Sequence, residues 1–574
     1  MEKLKGKRSC GIDMIDGYSI KLAAPLIEDI LLHMVNLSIT KSQYPQYWKV
    51  SKITPLFKKQ DRTNGENYRP VSNIIFVSQI CEKAIFEQVF IHFTSNNLFH
   101  PNNHGFRPSH STVTALIQLQ DLWLQASEKG ELSSALLLDL SAAFDLVSHR
   151  ILLGKLKLYG FSQSSLDWFQ SYLNDRTQYV QVEAMLSDPQ PTGVQGVPQG
   201  SILGPLLFLA FYNDFPETKY PAESSTSKPP ESSSSKPPGS SPSKPPESSS
   251  TDLPCSSSSV LYADDDTDHA QDKDPDILVA KIQYEADCST NWVTDNELVC
   301  SGGKTKLLIM TTTAMRRVRL AGRKLQIQVG GKKVIESICE KILGINVNNK
   351  LSWSHHILGD YSDPDKPITG VINQLSKRVG ILAKLSSLVP AERFKCLIHG
   401  LFYSKLLYCL PLFGNVWAGE AVETGVIRHS SFTKSHLRAL QTLQNKLLRN
   451  LTGHNYDTPV KILLETSDML CVNQLIAFYT IMLVFQIKLS NQPLYLAKRL
   501  GFCEISFNER NRRHDCRDLI QIKFNLSTAR EGFIYRASKL WSALPLPLKM
   551  ETKKKQFKKG LKRWVETTIP AIPY

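Results

Sequence analysis

The residues with the clearest chemical potential are three consecutive aspartates, Asp264, Asp265 and Asp266, in the stretch VLYADDDTDHA (260–270). Carboxylates this close raise one another's pKa values and work against folding unless something neutralises them. A solvated Asp-rich turn is the plain alternative. Two features weigh against it. The acids follow an apolar, β-favouring run, Val260 to Tyr262, and stand where a hairpin would turn. Successive residues of a regular strand point to opposite faces, so neighbouring aspartates can serve one site only near a turn. A distant acid, Asp139, also ends a short apolar run, Ala135 to Leu138 in SALLLDLSAAFD, which reads as a buried strand followed by a helix start. Two such strands side by side would gather Asp139, Asp264 and Asp265 at one sheet edge. Carboxylate oxygens there suit Mg²⁺, which keeps positions open for water and phosphate oxygens. Two ions about 3.5–4 Å apart suit phosphoryl transfer.

Other segments supply matching parts. VQGVPQGSILGPLLFLAFYNDF has a Gly/Pro turn, Gly196 to Ser201, before an apolar helix, and glycine lets backbone approach a ligand closely. In ITPLFKKQDRTNGENYRPVSN, Lys58, Lys59 and Arg69 fall in a hairpin-like context where cations could clamp a triphosphate. Taken singly, the loop reads equally as an ordinary turn and each cation as a solvated surface charge.

These residues need a large frame. At 574 residues the chain calls for two or three domains, and an apolar fraction of 42% suffices for their cores. A formal charge of +15 favours an anionic partner, nucleic acid or a membrane surface, without identifying a fold. The eleven cysteines contain no CxxC pair, and Cys503 and Cys516 around His514 match no common zinc spacing. Reduced thiols in an intracellular protein, nuclear or cytoplasmic and not secreted, are expected. The longest apolar run, Leu475 to Val484, is too short to cross a bilayer and reads as a buried helix, so no membrane partner is expected. The chain is expected to start at the edge of a domain, as a fragment of a longer protein would.

Helical spacing marks Lys21–Leu37 and Leu116–Ala126. Glu217–Ser259, with its near-repeats of SKPPESSS, has too little apolar surface to offset its ordering entropy and is expected to be a disordered insertion. Beyond Pro367 the pattern is strongly helical. SHLRALQTLQNKLLRNLTG places Leu437, Leu440, Leu443, Leu447 and Leu451 on one face with Gly453 as a stop. TKKKQFKKGLKRW is a basic helix with Phe557, Leu561 and Trp564 at helical spacing.

In order, KITPLFKK, NYRPVSN, HGFRPSHST, LLLDLSAAFD, GVPQGSILGP, YADD, GGKTKLLI and ILGINVNNKLSW resemble the reverse transcriptase of non-LTR (LINE-type) retrotransposons, from about Ser9 to Ile357. LQNKLLRNLTG and KLWSALPLPLK extend the resemblance weakly to the C-terminus. The resemblance implies an α+β right-hand polymerase of fingers, palm and thumb with a mostly α-helical C-terminal region. Its segments would be an entry segment 1–48, fingers and palm 49–350 interrupted at 217–259, a thumb-like region 351–455, and a basic helical region 456–574. It implies an RNA-directed DNA polymerase acting on an RNA template, a DNA primer or target DNA, and deoxynucleoside triphosphates. Asp139, Asp264 and Asp265 would be catalytic and bind two Mg²⁺ ions, with Mn²⁺ as an alternative. Lys304 would be the general acid for pyrophosphate release. Lys58, Lys59, Arg69, Phe144 and Gln199 would meet the nucleotide, with Phe144 excluding a ribose 2′-OH. Leu343 and Gly344 would belong to a primer-grip hairpin. Asp266 is an extra acid, expected as a solvated turn residue, with a shifted register as the alternative.

Competing readings remain open at this point. An inactive or domesticated nucleic-acid-binding remnant would keep the fold without the chemistry. An RNA-dependent RNA polymerase would share the palm, but Phe144 and YADD argue against it. GVPQGSILGP and LWSALP fit LINE elements better than group II intron or telomerase relatives. The basic C-terminal helix suits template binding, with a membrane surface, nuclear import or a merely solvated face as alternatives.

Overall fold

The computed structural model describes residues 8–58, 61–219, 258–300, 303–363, 367–416, 432–501, 519–520 and 522–570. Strands are β1 (Val50–Phe57), β2 (Tyr68–Ile74), β3 (Leu132–Leu138), β4 (Thr177–Val182), β5 (Met185–Leu186), β6 (Gln190–Pro191), β7 (Ser258–Tyr262), β8 (Asp265–His269), β9 (Gln271–Asp272), β10 (Lys306–Met310), β11 (Gln326–Val329), β12 (Lys332–Ser337), β13 (Cys339–Ile342) and β14 (Ile345–Asn348). The helices that frame them are α1 (Gly17–Thr40), α2 (Phe76–Ser95), α3 (Thr112–Glu128), α4 (His149–Leu158), α5 (Gln163–Leu173), α6 (Gly204–Phe211) and α7 (Pro275–Asp295).

The strands form two main sheets. In the fingers, β1 pairs antiparallel with β2 and parallel with β4, with β5 and β6 on β4. The palm sheet has the order β11-β12-β10-β3-β8-β7, with β9 also on β3. β3 is central and buried almost throughout, which explains its continuous apolar run. Its alternating side chains supply two different cores. Ala135, with Val260, Leu308 and Met310, faces α3. Leu136 and Leu138, with Leu261, Leu307 and Ile309, face α6 and α7. A slip of one residue would exchange the two sets, so burial on both faces fixes the register.

That register positions the acids. Leu138 lies opposite Asp266 and Leu137 opposite Thr267, so the residue after Leu138 comes beside Asp265. The expected strand-end convergence of Asp139 with the β7–β8 hairpin is therefore present. The expected helix start after Asp139 is not. Residues 141–146 turn, with Ala142 at φ +48°, and α4 begins only at His149. The left-handed residue breaks helical progression and lets the chain carry Phe144 into the cleft.

The Ser/Pro/Lys insertion is narrower than expected. Phe215–Lys219 is a 3₁₀ turn and Ser258–Ser259 belong to β7. The buried Ser259 hydroxyl donates to Asp268 at 2.6 Å, so Ser259 is a palm residue despite its Ser-rich setting. The rest of the insertion lies outside the described residues.

Beyond β14 the described chain is mainly helical. The helix Lys434–Thr452 opens on a Thr433–His436 capping box and ends at a left-handed Gly453, the stop its sequence pattern predicts. Leu437, Leu440 and Leu447 share one continuous core with Ile476, Phe485, Trp541, Phe557 and Leu561, and that core reaches the α3 face of the palm. A boundary near residue 455 thus falls inside one packed unit. Phe557 stacks on Phe485 at 3.7 Å, which seats the basic helix Lys554–Thr568 and leaves Lys554, Lys555, Lys558 and Lys559 exposed. Val472–Ser490 is longer than its apolar run suggested, and both it and α1 have the length and apolarity to cross a membrane. The first is mostly buried in this core, whereas α1 leaves Leu22, Leu26, Ile30 and Leu32 exposed.

Candidate active site

The acidic hairpin turns through only two residues. Tyr262 pairs with Asp265, leaving Ala263 and Asp264 as the loop, with Ala263 at φ +60°. Tight hairpins need such a left-handed residue, and alanine there carries strain that glycine would not. The surroundings hold it. His104 N donates to Leu261 O at 2.8 Å, and Leu261 N donates to Asn102 O at 3.0 Å. The buried His104 ring bonds Thr114 and Gln118 of α3 at 2.9 and 2.8 Å, and burial pushes its pKa down to about 3, so it stays neutral. Gly105 packs directly on the turn: a Cβ added there would lie 2.4 Å from Ala263 N. The HGF segment is thus a backbone brace for the acidic turn.

The acids lie in mutual repulsion. Burial raises the Asp264 pKa, and the charge of Asp139 raises it further, while a hydrogen bond from its own backbone N–H and the Arg69 charge oppose the rise. Burial, then Asp264 and Asp139, push Asp265 up to about 6. Lys304 Nζ donates to Asp139 Oδ2 at 3.0 Å. The Lys304 side chain is 68% exposed, so this pair adds little stability. Lys304 thus offsets the charge of one of the acids. Among the described residues, no three His, Cys, Asp or Glu side chains are already gathered as a metal cage. The donor set nevertheless fits a hard divalent ion: three carboxylates, two with raised pKa values, beside an open cleft.

Asp266 corrects its expectation. It is 2% exposed and sits inside β8, where its charge contributes to raising the pKa of buried Tyr212. Strand alternation is the reason: with Asp265 exposed at the start of β8, the next side chain points to the opposite, buried face.

The cleft over these acids has a volume of about 960 Å³. Lys58 and Arg69 line it from the β1–β2 hairpin, with Phe144 and Gln199 on its other walls. Lys59 lies outside the described residues. The Gly/Pro loop is fastened to the fingers. Ser72 N donates to Gln199 O at 2.8 Å, and Gly200, at φ +125°, has no room for a Cβ against Ser72 O. The buried Glu82 of α2 accepts from Ile202 N and Leu203 N at 2.6 and 3.3 Å, anchoring the start of α6. Gln199 Nε2 donates to both Asp145 carboxylate oxygens, at 2.8 and 2.9 Å. Burial raises the Asp145 pKa, while Gln199 and the Lys58 charge oppose the rise. Phe144 stacks on Phe208 with centroids 4.3 Å apart and meets Phe106 edge-on at 6.1 Å.

Leu343 and Gly344 form the two-residue turn between β13 and β14, both at positive φ. Tyr408 Oη donates to Leu343 O at 2.5 Å, tying that hairpin to the helical region. Reading residues alone did not single out Glu82, Gly105, Phe106, Asp145, Phe208 or Tyr408. The glycine and phenylalanine of HGFRP were the available signal for two of them; the others lack a local signature.

The comparisons with known proteins bear on the part of the chain that holds this cleft. Residues 57–325 match the reverse transcriptase (RNA-dependent DNA polymerase) family. The chain is 25% identical over 453 residues to the RNA-directed DNA polymerase from mobile element jockey of Drosophila melanogaster, covering 79% of this chain and 43% of that protein. It is 33% identical over 218 residues to the probable RNA-directed DNA polymerase from transposon BS of the same organism, covering 38% and 24%. The chain thus spans well under half the length of these curated relatives. Apo telomerase from Candida tropicalis matches over 94% of this chain and 75% of its own, at 11% identity and a TM-score of 0.36.

Proposed function

We propose that this chain is an RNA-directed DNA polymerase that extends a DNA primer on an RNA template with deoxynucleoside triphosphates. The observation that carries the reading is the convergence of Asp139, Asp264 and Asp265 under a cleft walled by Lys58 and Arg69. Asp139, Asp264 and Asp265 would hold two Mg²⁺ ions, or Mn²⁺ in their place. Bound there, the ions would supply activation of the primer 3′-OH and charge neutralisation on the pyrophosphate.

The chain's own groups account for the remaining work. Lys58 and Arg69 bind the triphosphate, and their charges oppose its negative oxygens. Asp145 fixes the Gln199 amide, so the loop beneath the nucleotide is set before substrate arrives. Phe144 fills the space a 2′-OH would need. Lys304, released from Asp139, carries a proton at Nζ for the leaving pyrophosphate. The exposed lysines of 554–568 suit the nucleic-acid backbone.

Primer extension tests the reading: purified protein, an RNA template with an annealed DNA primer, Mg²⁺ and dNTPs, beside Asp264→Asn. Extension that disappears in the variant is expected. A folded wild-type protein that binds RNA and extends nothing would overturn the polymerase reading in favour of a binding remnant.

A further inference from the structure

Phe106 has an unusual position for an apolar side chain. It is 43% exposed, lines the cleft, and its backbone is held at φ +53°, a region that bulky residues rarely adopt. Nothing in its own sequence requires that conformation; the contacts on either side do. Behind it, Gly105 abuts the Ala263 backbone, and Gly105 N donates to Asn103 Oδ1 at 3.1 Å. After it, the half-buried Arg107 donates through Nη1 to His100 O and Asn103 O at 2.8 and 3.0 Å, closing the loop on itself. In front, its ring meets Phe144 at an interplanar angle of 87°. Phe144 is therefore held on two sides, stacked on Phe208 from α6 and met edge-on by Phe106. Edge and stacked contacts at these separations are attractive beyond simple burial.

We propose that Phe106 is a specificity-positioning residue: it fixes the ring of Phe144 so that a ribose 2′-OH meets a rigid wall. The inference rests on the polymerase reading above and on Phe144 as the sugar gate. A gate with one free side would yield to the extra hydroxyl by rotating; a gate clamped on both sides cannot. Because Gly105 touches the turn that carries Asp264, the same short segment sets both the sugar wall and the acidic turn to one reference.

The test compares kcat/KM for a ribonucleotide and the matching deoxynucleotide in single-nucleotide primer extension. The proteins are wild type, Phe144→Ala, Phe106→Ala and Phe106→Asn, the last because asparagine tolerates left-handed backbone. Phe144→Ala should raise the ribo-to-deoxy ratio most. Both Phe106 variants should raise it roughly tenfold while the melting temperature stays near wild type. Phe106→Tyr, which keeps the ring edge, should restore the wild-type ratio. An unchanged ratio in Phe106→Ala and Phe106→Asn, with Phe144→Ala shifted, would overturn the inference alone. An unchanged ratio in Phe144→Ala as well would overturn the gate beneath it.

Discussion

Asp121 and Asp264 lie on different sides of the same palm and live under opposite conditions. Asp121, on α3, is a buried carboxylate with every need met. Arg499 donates to it through Nε and Nη2 at 2.6 and 3.1 Å, Tyr495 Oη at 2.7 Å and Gln125 at 2.8 Å. Asp264 sits at a strained turn, its pKa raised by burial and by a neighbouring acid, with a hydrogen bond from its own backbone N–H and the Arg69 charge opposing. The first arrangement joins two parts of the chain. The second stores repulsion that a bound cation would relieve. The same side chain serves cohesion in one place and ligand readiness in the other, and the partners decide which.

The comparison breaks most visibly through Asp264→Asn. Primer extension should fall by roughly three orders of magnitude or more, while the melting temperature holds or rises because a repulsive charge is gone. A falling melting temperature would show that Asp264 is structural like Asp121. Asp121→Ala should do the reverse. Leaving the half-buried Arg499 without its partner should cost about 3 kcal/mol in chemical denaturation, with extension per folded molecule near wild type. Gly105→Ala sharpens the picture between these extremes. Its Cβ would press on Ala263 N, so kcat should drop by roughly a hundredfold with little change in stability. Unchanged kcat would mean that the acidic turn does not depend on the brace.

The smallest effect is a pH dependence. Asp265 has its pKa pushed up to about 6, so the folded chain retains a proton that the unfolded chain gives up near 3.8. Without divalent cation, this contribution is most favourable at low pH and is lost as pH rises from about 4 to about 6. A cation binds the ionised form and must first displace that proton. The rise in melting temperature on adding a few millimolar Mg²⁺ should therefore be slight near about pH 5 and larger near about pH 7.5. A rise that does not depend on pH would remove Asp265 from the cation site.

Local pattern revealed the acidic hairpin and its distant partner because each acid ends a run of apolar residues, and such runs mark buried strands. The cations of the β1–β2 hairpin and the stop at Gly453 were visible for similar reasons. Asp266 was misread because three identical residues look alike until strand alternation separates them. The turn after Asp139 was hidden because AAFD opens with two alanines, the strongest helix formers, and only tertiary packing puts Ala142 in the left-handed region. Glu82, Asp145 and Tyr408 act across gaps of 54 to 120 residues. No periodicity records such pairings.

The core shared by α3 and the C-terminal helices has a consequence for how this protein can be divided. The stretch that matches the family stops at residue 325, yet Leu116, Leu119 and Trp123 within it are covered by residues from the far end of the chain. Leu526 N and Asn525 N also reach back to the Glu128 carboxylate, and Phe533 N to the Gln120 side chain. The segment recognisable by descent is therefore smaller than the segment that can fold. Recombination that kept the former and exchanged the latter would have to rebuild the rear wall of the palm at the same time.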